Sequence, residues 1–580
     1  MTRPLPYRPA FVLLALVAVA PAAAAGTAIV RTTPPEAAVD AVFARYDSKD
    51  TPGCSVAVID GGKVLLEKSY GMADPSLGVP RTSRTSHWIP YSEARVFVAL
   101  AVAMLARDGN ITLDDPIRQH IPQLPAYASA VTVRQLLHHR SGLADYLVLD
   151  PAGDSMWTRV SEDEFFRVLA RWNKLGFAPG TSKMYSNTDY ALLEMLVERV
   201  SGGSLHDYLD PRLLEPLGMA DTRIGADQAT VYPGHVLFHD GDGSRRIFPY
   251  RTSPVGGISV TTSLHDLIRW DSALRDPASG LSLLLTQLET GAPRDAGSNV
   301  EGDPSDAGGF AFGVYRRTFR DLPLLEYRGV SGYHYLVQVP GTELSVATLC
   351  NAYPGMASFG AEVARLFAAP RDAATAGNAM ATTPPPALGP AIAVPPAELQ
   401  RYAGEYRNSR GQFFTIAVAG NGLVTTPRGG SPFPPLLPMG DGKFRAQFGE
   451  STYLLTFKPG DDSEMVMTAW DVTLNESGGD DLRRWALAPP EWATAEAFAA
   501  YPGTYVGDDV DAFMYVRVEG GRVFVASHGF AETALEPMKQ ADRFDGHDIY
   551  ETRFERDASG RVIALVLDAA RVKGMRYTRR

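Results

Sequence analysis

Apolar positions recur with two different periods along this chain, and the change of period divides it. CSVAVID (Cys54–Asp60) and KVLLEKSYG (Lys63–Gly71) are two strand-like runs on either side of a Gly61-Gly62 turn. From Ser92 to Arg107 the pattern becomes helical and strongly apolar, with Gly109 placed as a stop. Val133–His139 and Asp189–Val200 read as further helices. Three strand-like runs follow: LPLLEYRG, YHYLVQVP and LSVATLCN. Strands at both ends with helices between predict a sheet closed by the two ends of this region and flanked by helices.

Residues 371–396, RDAATAGNAMATTPPPALGPAIAVPP, are rich in Ala, Pro and Thr and nearly uncharged, the composition of a linker. Beyond it the chain repeats itself. ELQRYAGEY (Glu398–Tyr406) is echoed by AFAAYPGTY (Ala497–Tyr505). Each copy continues into alternating strands around a glycine turn, FTIAVAGNGLVTT in one and MYVRVEGGRVFVA in the other. A second hairpin pattern follows in each, YLLTFKPGDDSEMVMTAW and ETRFERDASGRVIALVLD. Period-two alternation of this kind predicts two small antiparallel, barrel-like β modules, at 397–487 and 490–580. Neither carries an evident catalytic cluster, and a structural or lid-forming task suits them best.

Length and composition agree with this division. A chain of 580 residues is too long for one core, and 45% hydrophobic with 21% charged residues is ordinary for a globular protein. A net charge of -11, with no Lys/Arg-rich run, argues against a nucleic-acid partner. At the N-terminus Arg3 and Arg8 precede the apolar run Phe11–Ala20, followed by Pro21 and Ala22–Ala25. That is the pattern of a secretory signal at 1–25, cleaved near Ala25, and the run is short for a membrane anchor. The expectation is an exported, periplasmic or secreted chain with no integral membrane segment after cleavage. Cys54 and Cys350 are its two cysteines, and an exported chain with two can form one disulfide. Nothing in the spacing of Cys, His or carboxylates points to a metal, and no cofactor motif is present. The oligomeric state is left open.

The chemistry lies in several blocks read together. HWIPYSEARVFVALAVAMLARDGNITLDDPI, VTVRQLLHHRSGLADY, PGTSKMYSNTDYALLEMLVERVSGGSLHDYLDPRLLEPLGMADT and SPVGGISVTTSLHDLIRWDSAL resemble, in this order, the serine β-lactamase/D,D-peptidase-like hydrolases related to class C β-lactamases. The resemblance covers roughly residues 38–368, within a domain read as 34–370. The C-terminal half is more loosely similar to the β modules of D-aminopeptidase-like and esterase-like members. The resemblance implies an α/β (α+β) β-lactamase/transpeptidase-like domain with an antiparallel sheet flanked by helices. It also implies that the first strand lies beside the last, which makes Cys54 and Cys350 neighbours able to form a cross-strand disulfide.

The family's motifs map onto this sequence unevenly. Ser-x-x-Lys falls on Ser92-Glu93-Ala94-Arg95, with Ser92 as nucleophile and arginine in place of the lysine. Tyr-x-Asn is matched in full by Tyr185-Ser186-Asn187, and His/Lys-x-Gly falls on Tyr327-Arg328-Gly329, matching at its glycine alone. A serine hydroxyl needs a neighbour to take its proton. Arginine, with a pKa above ~12, keeps the lysine's charge and loses its base function. That charge favours a phenolate on Tyr185, which would leave tyrosine as the sole base, with Asn187 orienting substrate. The oxyanion hole implied by the family uses the main-chain N–H groups of Ser92 and Val330. Tyr327 can donate a hydrogen bond but carries no charge for a substrate carboxylate. On a strand Arg328 is expected to face the other side. Glu93 reads as a solvent-facing acid of the first helical turn, His139 as structural, His138 as undecided and His334 as a loop or packing residue.

Two functional readings follow. One is a serine hydrolase acting on an ester, an amide or a small peptide through a Ser92 acyl-enzyme. The other is a catalytically silent relative that binds a peptide, glycan or protein in the same cleft.

Overall fold

The computed structural model describes residues 29–30, 35–85, 87–89, 94–149, 160–225, 234, 236, 238–239, 260–289, 310–311, 313–319, 322–328, 334–351, 359–369, 391–407, 413–427, 432–448, 451–459, 465–471, 476–477, 482–484, 491–510, 512–527, 530–538, 540–546, 551–569 and 572–580. The principal elements of the first domain are α1 (Glu36–Phe43), β1 (Cys54–Asp60), β2 (Lys63–Tyr70), α2 (Arg95–Arg107), α3 (Asn187–Ser201), α4 (Leu264–Arg275), β3 (Val314–Phe319), β4 (Leu322–Arg328), β5 (His334–Gln338), β6 (Leu344–Cys350) and α5 (Phe359–Phe367). The six strands form an antiparallel sheet in the order β2-β1-β6-β5-β4-β3, with the short strand Phe310–Ala311 beside β3. The first strands of the domain thus pair with the last, as the family resemblance implies.

The two central strands are buried along almost their whole length, so both faces of the sheet must be covered. Ser345 on β6 accepts from Arg275 and donates to Asp271, both on α4. On the opposite face α5 sits directly on the sheet: a Cβ on Gly360 would lie 2.8 Å from Val337 Cγ2, so only glycine allows this approach. Away from the sheet, α2 is buried on every side from Arg95 to Leu105. A helix with no polar face belongs in the middle of a core, and the run RVFVALAVAML supplies that.

Several boundaries differ from the sequence pattern. The helix read as Val133–His139 ends at Leu137, after a capping box between Thr132 and Gln135. His138 closes it, and His139 turns into the left-handed region at φ +56°. The helix read from Asp189 begins at Asn187 and stops at Gly202, whose φ of +78° ends it. The described part of the Ser92 helix begins at Arg95, preceded by Ala94. The helices Glu162–Trp172, α4 and α5 and the strand β3 add to the elements read from sequence.

The C-terminal repeat is visible in atomic detail. Tyr406 Oη donates to Tyr402 O at 2.8 Å, and Tyr505 Oη donates to Tyr501 O at 2.7 Å. Each pair flanks a glycine with a backbone other residues avoid, Gly404 at φ +151° and Gly503 at φ +157°. The second module closes into a barrel of eight antiparallel strands between Gly503 and Arg579. The first is a nine-stranded antiparallel sheet, whose ends meet where Leu423 and Leu436 exchange main-chain hydrogen bonds of 3.0 and 2.7 Å. Their cores differ. Leu399, Tyr402, Tyr406, Phe444 and Phe457 form a cluster of their own, whereas the barrel's buried residues are continuous with those of the first domain. Lys174 fastens that junction, reaching Asp509 Oδ2 at 2.9 Å and Gly574 O at 3.4 Å.

At the end of the β1–β6 ladder Cys54 and Cys350 are register partners, and their sulfur atoms are bonded. The bridge ties positions 296 residues apart. Closing so long a loop in the unfolded chain predicts a loss of about 2–5 kcal/mol for Cys350→Ser, read as a lower denaturant midpoint. Thiol alkylation of the denatured native protein should label neither cysteine without reductant and both after reduction.

Candidate active site

Two short stretches zip together to place the site. Met184 N donates to His139 O at 2.9 Å, Gly180 N to Arg140 O at 2.8 Å and Gly176 N to Gly142 O at 2.8 Å. The approach at Gly142 is close: with φ +75°, a Cβ there would lie 2.2 Å from Phe177 O. His139 is the bulkier residue forced into left-handed backbone, at a cost of order 1–3 kcal/mol. This pairing delivers Tyr185, Ser186 and Asn187 to the start of α3, beside the start of α2.

Arg95, the first residue of α2, is buried, and its side chain is engaged on every side. One terminal nitrogen, Nη1, lies 3.2 Å from His139 Nε2, and the other, Nη2, donates to Asn187 Oδ1 at 2.7 Å. The guanidinium carbon stands 4.2 Å from the centroid of the Tyr185 ring and 4.7 Å from that of Tyr190, both cation–π distances. His139 is packed against the same two rings, at 4.8 and 5.2 Å between centroids.

Behind each partner stands a buried carboxylate. His139 Nδ1 is 2.9 Å from Asp189 Oδ2, and Asp189 Oδ1 accepts from Ser141 Oγ at 2.5 Å. Asn187 Nδ2 donates to Asp145 Oδ2 at 2.8 Å, which fixes the amide with its oxygen towards Arg95. The guanidinium is therefore separated from each of two carboxyl groups by one polar side chain. Burial pushes the Asp189 carboxyl well above the usual carboxylate range, against the pull of the Ser141 hydroxyl and the Arg95 charge, and Asp145 adds to the rise. Burial likewise raises the Tyr190 hydroxyl, which donates to Leu137 O at 3.2 Å.

Of the residues singled out from sequence, Arg95, Tyr185 and Asn187 come together. Tyr327 is buried on β4, its ring 6.3 Å from that of Tyr335. Arg328 ends β4 at a register irregularity opposite His334. Ser92, Glu93, Gly329 and Val330 lie outside the described residues, as do the side chains of Arg328 and His334. His138 is buried at the end of its helix. His139, read from sequence as structural, stands in the site itself. Asp145, Ser141 and Asp189 were not singled out. Their partners are remote in sequence: Asp189 lies 50 positions from His139 and 48 from Ser141, and Asp145 lies 42 from Asn187.

Among the described residues one group has donor atoms close enough for a metal ion: Asp221, His265 and Asp266. Guanidinium groups occupy that histidine. Arg84 Nη2 is 3.1 Å from His265 Nε2, and Arg269 Nη1 lies 2.5 Å from Nδ1. Asp266 Oδ2 accepts from Asp221 N and Thr222 Oγ1, both at 2.8 Å. These donors compete with a cation for the same atoms.

An antiparallel sheet that pairs its first strands with its last, a buried central helix opening on a cation, and a Tyr-Ser-Asn turn packed on that cation define the class. Residues 39–369 match the Beta-lactamase family, and the chain belongs to it. Among curated relatives, a D-aminopeptidase of Brucella anthropi is 30% identical over 250 residues, which is 41% of this chain and 46% of that protein. A D-aminopeptidase of Brucella canis is 24% identical over 572 residues, covering 94% of this chain and 98% of that one. Among solved structures, the octameric penicillin-binding protein homologue of Pyrococcus abyssi aligns with a TM-score of 0.48 at 21% identity, over 77% of this chain and 99% of that one.

The raised Asp189 carboxyl has a consequence for stability. Above about pH 3.9 the unfolded aspartate gives up its proton while the folded one keeps it. The stabilisation from a protonated Asp189 is thus full below that pH and is lost as pH rises through the folded value. Asp189→Asn has no such proton to lose. Urea midpoints measured from pH 3.5 upward should show wild type losing ground to this variant as pH rises; a constant difference would contradict the assignment.

Proposed function

We propose that this chain is an exported serine hydrolase that opens a small amide, ester or peptide through a Ser92 acyl-enzyme. The observation that carries the reading is the convergence of Tyr185 and Asn187 on Arg95, which stands three residues after Ser92. The cation is in place, the tyrosine ring lies on it and the amide is oriented by it. In this reading Tyr185 acts as a phenolate held beside the Arg95 charge; it takes the proton from Ser92 as the oxygen attacks and is neutral once it has done so. Asn187, locked between Arg95 and Asp145, holds its neighbours in place. Main-chain N–H groups of Ser92 and Val330 receive the oxyanion. The D-aminopeptidase relatives favour an amide or small peptide as substrate. Tyr327, uncharged and buried, disfavours substrates held by a carboxylate at that position.

Export rests on the signal-like N-terminus, and a disulfide between buried cysteines suits an oxidising compartment. No helix among the described residues is long and apolar enough to cross a membrane.

One observation favours a silent, binding-only relative: both terminal nitrogens of Arg95 are already committed, and a guanidinium takes no proton from serine. Labelling separates the two readings. Intact-mass analysis after exposure to a fluorophosphonate should show one adduct, absent in Ser92→Ala. Tyr185→Phe should slow its formation by about 10²–10⁴-fold. Folded wild-type protein that takes no adduct would favour the binding-only relative.

A further inference from the structure

We propose that His139 is a positioning residue: a neutral imidazole, with its proton on Nδ1, that locks the Arg95 guanidinium onto the face of Tyr185. The inference rests on the Ser92 hydrolase reading for its kinetic consequence, but the lock itself does not. Its first premise is that a guanidinium only donates. With Arg95 Nη1 3.2 Å from His139 Nε2, that ring nitrogen must present its lone pair. The ring proton then belongs on Nδ1, where Asp189 Oδ2 lies 2.9 Å away to receive it. Ser186 N also points at Nδ1, from 3.3 Å, and would prefer a bare nitrogen there. A bare Nδ1 would put the proton on Nε2, two donors head to head across the shorter contact, so the arginine decides the tautomer.

An imidazolium is excluded for the same reason. Among the described residues, charged and titratable groups facing His139 are Arg95 from α2, Asp189 and Tyr190 from α3 and Tyr185 from the preceding turn, with Asp145 beyond Asn187. Adding a second cation beside Arg95 would break the Nε2 contact and release the guanidinium from one of its two holds. The left-handed backbone of His139 supports the assignment. Asparagine and aspartate enter that region as readily as histidine does, so a purely local role in the turn would not call for the imidazole.

Two variants separate positioning from scaffolding. In His139→Asn the short amide keeps a donor for Asp189 and the favourable backbone, but it leaves Arg95 without an acceptor. In His139→Gln the longer amide offers Arg95 its carbonyl and has the less suitable backbone. Positioning predicts that fluorophosphonate labelling of Ser92 slows about 100-fold in His139→Asn and within about 10-fold in His139→Gln. A scaffolding role predicts the reverse order.

A second readout needs no turnover. Nitrogen NMR of 15N-histidine-labelled wild type, with the His139 signals assigned by their absence from His139→Gln, should show bare Nε2 and protonated Nδ1 from pH 5 to 8. An imidazolium forming near the ordinary value of about 6.5 with labelling unchanged would overturn the proposal, as would undiminished labelling of His139→Asn. If wild type takes no label while the tautomer is found as stated, the hydrolase reading falls and the lock stands. An imidazolium in such a protein would sink the lock as well.

Discussion

Everything at the candidate site depends on how a permanent positive charge is kept inside a helix start. Arg95 opens α2, where the unpaired N–H groups already make the helix end positive. A cation there is doubly unfavourable, by burial and by the dipole. The fold answers with a carboxyl group at one remove on each side: Asp189 behind His139, and Asp145 behind Asn187. Direct ion pairs would neutralise the guanidinium and turn it towards the acids. With uncharged spacers in between, its two terminal nitrogens stay in the plane that lies against Tyr185 and Tyr190.

The rest of the architecture holds these few side chains in register. The disulfide and the β1–β6 ladder join the ends of the domain, so the sheet is one piece although its strands are far apart in sequence. The helix Glu162–Trp172 leads through Asn173, in left-handed backbone, to Lys174. Lys174 stacks on Trp172 at 4.0 Å and reaches the C-terminal barrel. The same segment continues into the stretch that pairs with His139–Gly142 and ends at Tyr185. The barrel therefore bears on the chain that carries the Tyr-Ser-Asn motif, whereas the first β module keeps a core of its own.

The legible parts of this structure are those written in local pattern. The paired strands around Gly61-Gly62, the all-apolar helix after Ser92 and the duplicated β hairpins follow from period, turn residues and repetition. The Arg-for-Lys exchange was also readable, because one position in a known spacing had changed. What the pattern did not disclose is the set of partners the exchange needs. Nothing in the local sequence of His139, Ser141, Asp145 or Asp189 says which distant group each faces. The helices Glu162–Trp172 and α4 are written in local pattern too: Phe165, Leu169 and Trp172 recur at helical spacing against a polar face, and Ser161 and Ser263 cap the two helices.

The central claim is that Arg95 and Asp189 act on each other through His139 although they do not touch. A double-mutant cycle on unfolding free energy, with Arg95→Met, Asp189→Asn and the pair, measures that coupling most directly. Removing the arginine strands two buried carboxylates, so the single change should cost about 3–5 kcal/mol. Measured above the pH at which folded Asp189 loses its proton, part of this cost should disappear once Asp189 is replaced by the neutral amide, a coupling of about 0.5–3 kcal/mol. Strict additivity of the two single changes would contradict it.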